Sequence, residues 1–285
     1  MKILVTGAKG MLGKDLSPIL KKANHEVFET DIEELDITQI DKVYEMVKNL
    51  KPEIIVNCAA YTQVDKAEQE PEKAFLINAA GAQNLALVCK DFNFDLCHIS
   101  TDYVFDGEKK TPYTPFDQPN PINIYGLSKL AGEKYIQWVW NKFYITRTSW
   151  LYGRNGNNFV SSILELAKRQ NEIKVIDDQK GSPTWTVNLS NAISKIITTR
   201  RYGIYHVTDE TDNGISWFTF AQEIINLSGS KTKLIPCKTE EFPRQARRPK
   251  NSALDLTMTK LIFKINIPSW KESLKNFLSQ LREPT

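Results

Sequence analysis

The chain has 285 residues, of which 41% are hydrophobic and 25% charged, as in an ordinary globular protein. A formal net charge of +3, with basic and acidic residues interspersed, is too small to indicate a nucleic-acid partner. No apolar run reaches the length of a membrane span, and the N-terminus enters a strand-like segment at once, so we expect no membrane partner and no signal peptide. Four scattered cysteines and three scattered histidines lack metal-ligand spacing, which favours free thiols in the cytoplasm and no protein-built zinc site.

A glycine-rich segment follows the first predicted strand. Residues 2–7 form a short apolar run, and the spacing Gly7-x-x-Gly10-x-x-Gly13 leads into a helical pattern. Glycines permit a tight turn, and the N–H groups at a helix N-terminus can bind a pyrophosphate, so we predict a dinucleotide-binding loop. A turn that serves only packing is the alternative. We also expect Pro18 to kink or shorten the helix.

The second predicted strand, residues 26–31, ends in an acid. In dinucleotide-binding folds an acid at this place binds the adenosine ribose hydroxyls, and Asp31 is the candidate here. Glu33 and Glu34 follow it and would repel a 2′-phosphate, which only Lys9 could offset. We therefore predict NADH or NADPH as cofactor, with NADH slightly favoured. The alternative is an aspartate in a surface loop.

Strand and helix patterns alternate along the chain. After the first strand, the predicted strands cover residues 26–31, 54–60, 94–101, 143–150, 173–177 and 203–208. The predicted helices include residues 72–88, 159–169, 188–199, 217–227 and 270–281. This alternation predicts an α/β fold with a doubly wound parallel sheet of the Rossmann type, whose ligand lies at the carboxyl ends of the strands. We predict a dinucleotide-binding domain over residues 1–152 and about 184–208, and a smaller, discontinuous substrate-binding lobe over about 153–183 and 209–285.

Tyr125 and Lys129 begin a predicted helix one turn apart on the same face. An ammonium beside a phenol favours the phenolate, which would move the phenol towards the operating pH of a general acid or base. Thr101 ends the preceding strand, at the same edge of the sheet. These three side chains predict a proton-delivery site for carbonyl reduction, with Tyr125 as the donor. An ordinary amphipathic helix that carries Tyr and Lys is the alternative.

Several motifs together resemble the extended short-chain dehydrogenase/reductase family. Those motifs are the glycine loop, Asn57-Cys-Ala-Ala60, Asn78-Ala-Ala-Gly81, Thr101, Tyr125-x-x-x-Lys129 and Arg147. Longer segments are similar to nucleotide-sugar reductases of that family, among them Ser100-Thr-Asp-Tyr-Val-Phe105, Arg147-Thr-Ser-Trp150, Gly181-Ser-Pro-Thr184 and Arg248-Pro249. The resemblance implies reduction of the C4 keto group of dTDP-4-dehydro-6-deoxy-L-mannose to dTDP-L-rhamnose, for cell-surface polysaccharide.

The resemblance also implies roles for individual residues. The implied cofactor contacts are Gly7, Gly10, Met11, Leu12, Gly13, Asp31, Asp36, Ile37, Ala60, Tyr61, Thr62, Tyr125 and Lys129. The implied contacts to a dTDP-linked deoxysugar are Thr101, Asp102 and Trp150, with Arg247 or Arg248 as a clamp for the substrate pyrophosphate. A core aromatic is the alternative for Trp150, and a solvated surface cation is the alternative for the arginine.

Three rival functions share this scaffold. The related sugar-nucleotide dehydratases carry Thr-Asp-Glu, whereas this chain has Tyr103 after Thr101 and Asp102. A 4-epimerase of the same family is less well matched by the motifs. A non-catalytic regulatory subunit, similar to the beta subunit of methionine adenosyltransferase, would not need the three catalytic residues.

The oligomeric state is left open between monomer and homodimer. Some members of the family pair through acidic residues around a divalent metal such as Mg²⁺. Asp15 fits such a set, but Val187 and Asn188 stand where a further carboxylate would be needed. We therefore expect no metal.

Overall fold

The computed structural model describes residues 1–282. Their strands are β1 Lys2–Thr6, β2 Glu26–Thr30, β3 Ile54–Asn57, β4 Asp95–Thr101, β5 Phe143–Thr148, β6 Leu151–Tyr152, β7 Glu172–Ile176, β8 Lys180–Gly181, β9 Thr184–Trp185, β10 Gly203–His206, β11 Ile215–Ser216 and β12 Lys233–Cys237. Their α-helices are α1 Met11–Lys22, α2 Ile40–Leu50, α3 Val64–Ala67, α4 Pro71–Phe75, α5 Gly81–Phe92, α6 Ile124–Val139, α7 Phe159–Arg169, α8 Thr186–Ile196, α9 Trp217–Ser228, α10 Thr257–Phe263 and α11 Trp270–Arg282.

Six strands form one parallel sheet in the order β10-β5-β4-β3-β1-β2. Helices pack on both faces of the sheet, and a cluster of buried apolar side chains lies on each face. All four residues of β3 are buried. The register pairs Thr6 with Asn57 and Thr101 with Thr148, so the strands end at a common carboxyl edge. The predicted fold class is confirmed, and β10 returns to the sheet as expected.

Some local predictions were wrong. Helix α1 continues past Pro18 to Lys22, so the predicted shortening is wrong, while the kink stays a prediction. Proline lacks the N–H that would donate to the Lys14 carbonyl. Pro18 and Lys14 are both exposed, so water can donate to that carbonyl instead. The strand predicted over 54–60 ends at Asn57. The helix predicted over 72–88 contains a π-helical turn at Leu76–Ala80 between α4 and α5.

A third group of buried apolar residues lies outside the main sheet. It includes Tyr152, Phe220, Trp270 and Phe277, and draws on α7, α9, α11 and the β7–β12 pair. Strand β12 and helix α10 were not predicted. We propose that this group is the core of the smaller lobe, in keeping with the predicted domain division.

Helix α6 is fixed against the sheet by a buried ion pair. The Arg147 guanidinium on β5 donates from Nε and Nη2 to the two carboxylate oxygens of Glu133, at 2.9 and 2.6 Å. Ser100 on β4 donates to the same carboxylate at 2.5 Å. A Cβ on Gly132 would lie 2.2 Å from the Asn78 carbonyl oxygen, so only glycine permits this close approach of α6 to the π-helical turn. The helix is therefore fixed in height and rotation relative to β4.

We expect Glu133→Gln to lower the free energy of unfolding by about 3–5 kcal/mol, because it leaves the buried Arg147 guanidinium without a counter-charge. Urea denaturation with an unchanged m-value measures this loss. Glu165→Gln is the matched control, since Glu165 pairs with Lys168 at 2.6 Å but is 53% exposed, and we expect no measurable change there. Equal effects of the two substitutions would contradict a structural role for the buried pair.

Candidate active site

A cavity of about 790 Å³ lies along the carboxyl ends of β1, β3, β4 and β5. A cleft at this edge is the usual ligand position in a doubly wound sheet. Most of the predicted site residues line it, namely Gly7, Gly10, Met11, Leu12, Gly13, Asp31, Asp36, Ile37, Ala60, Thr62, Thr101, Asp102, Tyr125, Lys129 and Trp150. The structure therefore brings together residues that are far apart in the chain.

One end of the cavity is the glycine loop between β1 and α1. Gly7 has φ +66°, and a Cβ there would lie 2.5 Å from the Ala59 backbone nitrogen. A Cβ on Gly13 would lie 2.5 Å from the Gly7 carbonyl oxygen. Gly10 caps α1 without a side-chain hydrogen bond. The first turn of α1 thus presents backbone N–H groups to the cavity, which fits the pyrophosphate of a dinucleotide.

The end of β2 lies beside this loop and is acidic. The Lys9 backbone N–H donates to Asp31 at 2.8 Å. The Lys9 ammonium donates to Glu34 at 2.8 Å and to Glu33 at 2.9 Å, and these bonds raise the pKa of Lys9. The cation that could offset a 2′-phosphate is therefore already paired with two carboxylates.

Tyr125 and Lys129 lie at the other end, on the first turns of α6. Asn123 caps the helix by accepting from the Gly126 N–H at 2.7 Å. Lys129 is 2% exposed, and its ammonium donates to the Ile99 carbonyl at 2.6 Å. The position of both side chains thus follows from the anchoring of α6 on β4.

Burial controls the protonation of this pair. It raises the pKa of Tyr125 to about 12, with the Thr101 hydroxyl opposing and Asp102 adding to the rise. It also lowers the pKa of Lys129 to about 8, against the attraction of Glu133. The prediction that Lys129 makes the phenolate favourable was wrong here, because the cost of desolvating a phenolate is larger than any gain from Lys129. The phenol is therefore protonated at neutral pH.

Thr101 and Asp102 lie at the end of β4, on the Tyr125 side of the site. The Thr101 hydroxyl donates to Asp102 at 3.0 Å and accepts from the Tyr103 N–H at 3.1 Å. Burial raises the pKa of Asp102 to about 7, although the hydroxyls of Ser252 and Thr101 oppose the rise. A carboxyl group that is half protonated near neutral pH can either donate to or accept from a bound ligand.

Trp150 faces the cavity in a strained backbone conformation. It is a non-glycine residue with φ 47°, a conformation that costs free energy and occurs at functional sites. Its indole stacks on Trp217, with ring centroids 3.4 Å apart and an interplanar angle of 7°. A Cβ on Gly181 would lie 2.5 Å from the Trp150 ring, which explains the glycine of the 181–184 turn. Trp217 also lines the cavity, and its place at the start of a predicted helix did not indicate this.

Tyr61 and both arginines considered as the pyrophosphate clamp lie outside the cavity lining. Arg248 donates from both Nη atoms to Asp65, at 2.5 and 2.7 Å, so a carboxylate already occupies its guanidinium. Arg247 is exposed. The Tyr61 hydroxyl donates to Glu70 at 3.0 Å. The cofactor role of Tyr61 and the pyrophosphate role of Arg248 stay predictions, without support from this geometry.

Metal ligands are not clustered in residues 1–282: no group of three or more His, Cys, Asp or Glu side chains there could hold an ion. Asp15 instead accepts hydrogen bonds from Asn155 and Thr186. In the same range, no helix is both long and apolar enough to cross a membrane.

The sheet, the glycine loop and the placement of Thr101, Tyr125 and Lys129 define an enzyme of the extended short-chain dehydrogenase/reductase class, with a Rossmann-type sheet. Within that class, the chain belongs to the family described as the RmlD substrate binding domain, whose model matches residues 1–283.

Named relatives agree over nearly the whole chain. A dTDP-4-dehydrorhamnose reductase of Aggregatibacter actinomycetemcomitans is 40% identical, over 96% of this chain and 97% of the relative. The crystal structure of a dTDP-4-dehydrorhamnose reductase from Clostridium acetobutylicum is 46% identical, with a TM-score of 0.96 over 99% of this chain and 100% of that one. A dTDP-4-dehydrorhamnose reductase from Bacillus anthracis, solved in complex with NADP, is 44% identical, with a TM-score of 0.95 over 98% and 99% of the two chains.

Proposed function

We propose that this protein is an NAD(P)H-dependent reductase of a nucleotide sugar, which converts the C4 keto group of dTDP-4-dehydro-6-deoxy-L-mannose to the alcohol of dTDP-L-rhamnose. The observation that carries the proposal is the placement of Thr101, Tyr125 and Lys129 at one end of a cavity whose other end is the glycine loop. Relatives that are 40% and 46% identical over nearly the whole chain carry the name of this activity.

The cavity fits a nicotinamide dinucleotide. Gly7 and Gly13 permit the tight backbone packing of the loop, where a Cβ would meet backbone atoms of Ala59 and Gly7, and so let the N-terminus of α1 face the cavity, where it can bind a pyrophosphate. Asp31 and Lys129 line this cavity, and we assign them to the adenosine ribose and the nicotinamide ribose. A bound nicotinamide supplies the hydride. The NADP complex of a relative supports this class of cofactor.

Tyr125 supplies the proton. As the carbonyl carbon accepts hydride, its oxygen gains negative charge, and the protonated phenol can donate to it. Thr101 lies beside Tyr125 and can hydrogen-bond the same oxygen. Trp150, stacked on Trp217, forms an apolar wall that we assign to the sugar nucleotide. These residues bind, orient and protonate, and none of them needs a metal ion to do so.

The alternative reaction of this scaffold, dehydration, would need a second acid or base beside Asp102. Tyr103 occupies the place of the glutamate, and its ring packs edge-on against Tyr125 with centroids 5.9 Å apart. Burial raises the pKa of Tyr103, so it is a poor base near neutral pH. We further propose that the enzyme acts in the cytoplasm, since its four cysteines are free thiols. We propose a monomer or a homodimer as its oligomeric state.

The proposal is tested by incubating the protein with dTDP-4-dehydro-6-deoxy-L-mannose and either NADH or NADPH. We expect stoichiometric oxidation of the cofactor and dTDP-L-rhamnose as the product, identified by mass spectrometry and NMR. Conversion of dTDP-glucose to a 4-keto-6-deoxy sugar without net cofactor oxidation would instead identify a dehydratase. Epimerised product without cofactor consumption would identify an epimerase, and no turnover would favour a regulatory subunit.

We expect Tyr125→Phe to lower kcat by roughly 10²–10⁴-fold while cofactor binding changes little, because the phenol is the proton donor. Steady-state kinetics and calorimetric titration of the cofactor measure the two effects. Tyr135→Phe, on the same helix but outside the cavity lining, is the control. A loss smaller than about tenfold would rule out Tyr125 as the donor.

We expect NADH to be used at least as well as NADPH, because a 2′-phosphate would face Asp31, Glu33 and Glu34. Lys9→Ala should lower kcat/KM for NADPH further and leave that for NADH unchanged, since the lysine is the cation that offsets those carboxylates. Lys14→Ala, an exposed lysine on α1, is the control. A clear preference for NADPH that persists in Lys9→Ala would contradict this interpretation of the β2 end.

A further inference from the structure

A chain of buried polar side chains leads from β1 to Lys129. The Thr6 hydroxyl donates to Asn57 Oδ1 at 2.7 Å. Asn57 Nδ2 lies 3.0 Å from His98 Nδ1, and His98 Nε2 lies 3.3 Å from Lys129 Nζ. All four residues are at most 2% exposed. These side chains cross three neighbouring strands, from Thr6 and Asn57 at the ends of β1 and β3 to His98 in the middle of β4, and the last contact is to a residue of the proposed active site.

The tautomer of His98 follows from the orientation of Asn57. Asn57 Oδ1 accepts from the Ala59 backbone N–H at 3.1 Å as well as from Thr6, so the carboxamide oxygen must face these two donors. Its NH₂ group then points at His98 Nδ1, which has to accept. A neutral imidazole that accepts at Nδ1 carries its proton on Nε2. His98 is neutral, because burial and the nearby Lys129 lower its pKa well below the ordinary value.

The Nε2–H of His98 therefore faces the nitrogen of Lys129. An ammonium has three donors and no lone pair, so it gains nothing from this N–H, whereas a neutral amine can accept from it. The Ile99 carbonyl holds the same nitrogen from the other side, at 2.6 Å. The other titratable groups around Lys129 are Glu133 and Tyr125 on its own helix and the Cys58 thiol after β3. Glu133 is already paired with Arg147.

We propose that His98 is a positioning residue of the reductase: its Nε2–H, fixed by Asn57, faces the Lys129 nitrogen and favours the neutral amine, which can accept from it, over the ammonium. This inference rests on the proposed function, since it concerns the lysine that would hold the nicotinamide ribose. It predicts that His98, which lies outside the cavity lining, adds to the effect of burial on the charge of Lys129.

The tautomer can be measured without any substrate. The chain has three histidines, so two-bond ¹H–¹⁵N correlation spectra of ¹⁵N-labelled protein can be assigned with His25→Asn, His98→Asn and His206→Asn variants. We expect the His98 signals to show a neutral ring protonated on Nε2, unchanged between about pH 5 and about pH 9. A ring protonated on Nδ1, or one that titrates in this range, would overturn the proposal, whatever the enzyme proves to do.

The consequence for Lys129 is measured by the pH dependence of kcat/KM for the nicotinamide cofactor, which reports on the free enzyme. We expect the wild-type value to fall as pH rises through about 8, where Lys129 loses its proton. His98→Asn removes the N–H that faces Lys129 and keeps an acceptor for Asn57, so this alkaline limb should move upward by about one pH unit. His98→Gln can restore an N–H near Lys129 and should return the limb towards the wild-type position.

The control is His206→Asn, because His206 is an equally buried histidine two strands away on β10. We expect it to leave the alkaline limb unchanged even if it lowers stability. An alkaline limb that stays in place in His98→Asn would show that His98 only fills space. Should His98→Asn fail to fold, the tautomer measurement on the wild-type protein still decides the proposal.

Discussion

The buried ion pair between Glu133 and Arg147 is the interaction on which the site depends. It joins α6 to β5, and through the Ser100 hydroxyl to β4, with two parallel charge-assisted hydrogen bonds. Two bonds in one plane fix the rotation of the helix as well as its distance from the sheet. Tyr125 and Lys129 lie on the same helix, so their positions relative to Thr101 on β4 follow from this pair.

Burial, rather than an arrangement of charges, sets the protonation states at the centre of the site. It keeps the phenol of Tyr125 protonated, makes the ammonium of Lys129 easier to lose, and brings Asp102 close to half protonation at neutral pH. All three effects have the same cause, which is the cost of taking a charge out of water. A site of this kind is suited to proton donation near neutral pH, and His98 adds a specific contact to that general effect.

Two parts of the cavity wall are preformed for a ligand. The glycine loop has its final shape, because backbone atoms on both sides leave no room for side chains. Arg248 lies outside the cavity lining, and its guanidinium is held by Asp65. The strained Trp150, stacked on Trp217, is a second preformed part of the cavity wall. The cavity therefore combines a rigid glycine loop with a rigid aromatic wall, while the guanidinium predicted to bind a phosphate is paired with a carboxylate outside it.

The sequence by itself determined the fold class, the glycine loop and the three catalytic candidates, because these depend on local spacing: strand followed by glycines and helix, and Tyr and Lys one helical turn apart. The sequence could not predict residues whose role depends on contacts with residues that are distant in the chain. In the sequence His98 is an isolated histidine and Trp217 an ordinary helix residue. The fold places Asn57 beside His98 and Trp150 against Trp217. The pKa of Tyr125 also escaped prediction, since spacing indicates which charges are near but not how much water is excluded. Only the tertiary structure decides burial, and burial here outweighs the neighbouring charge.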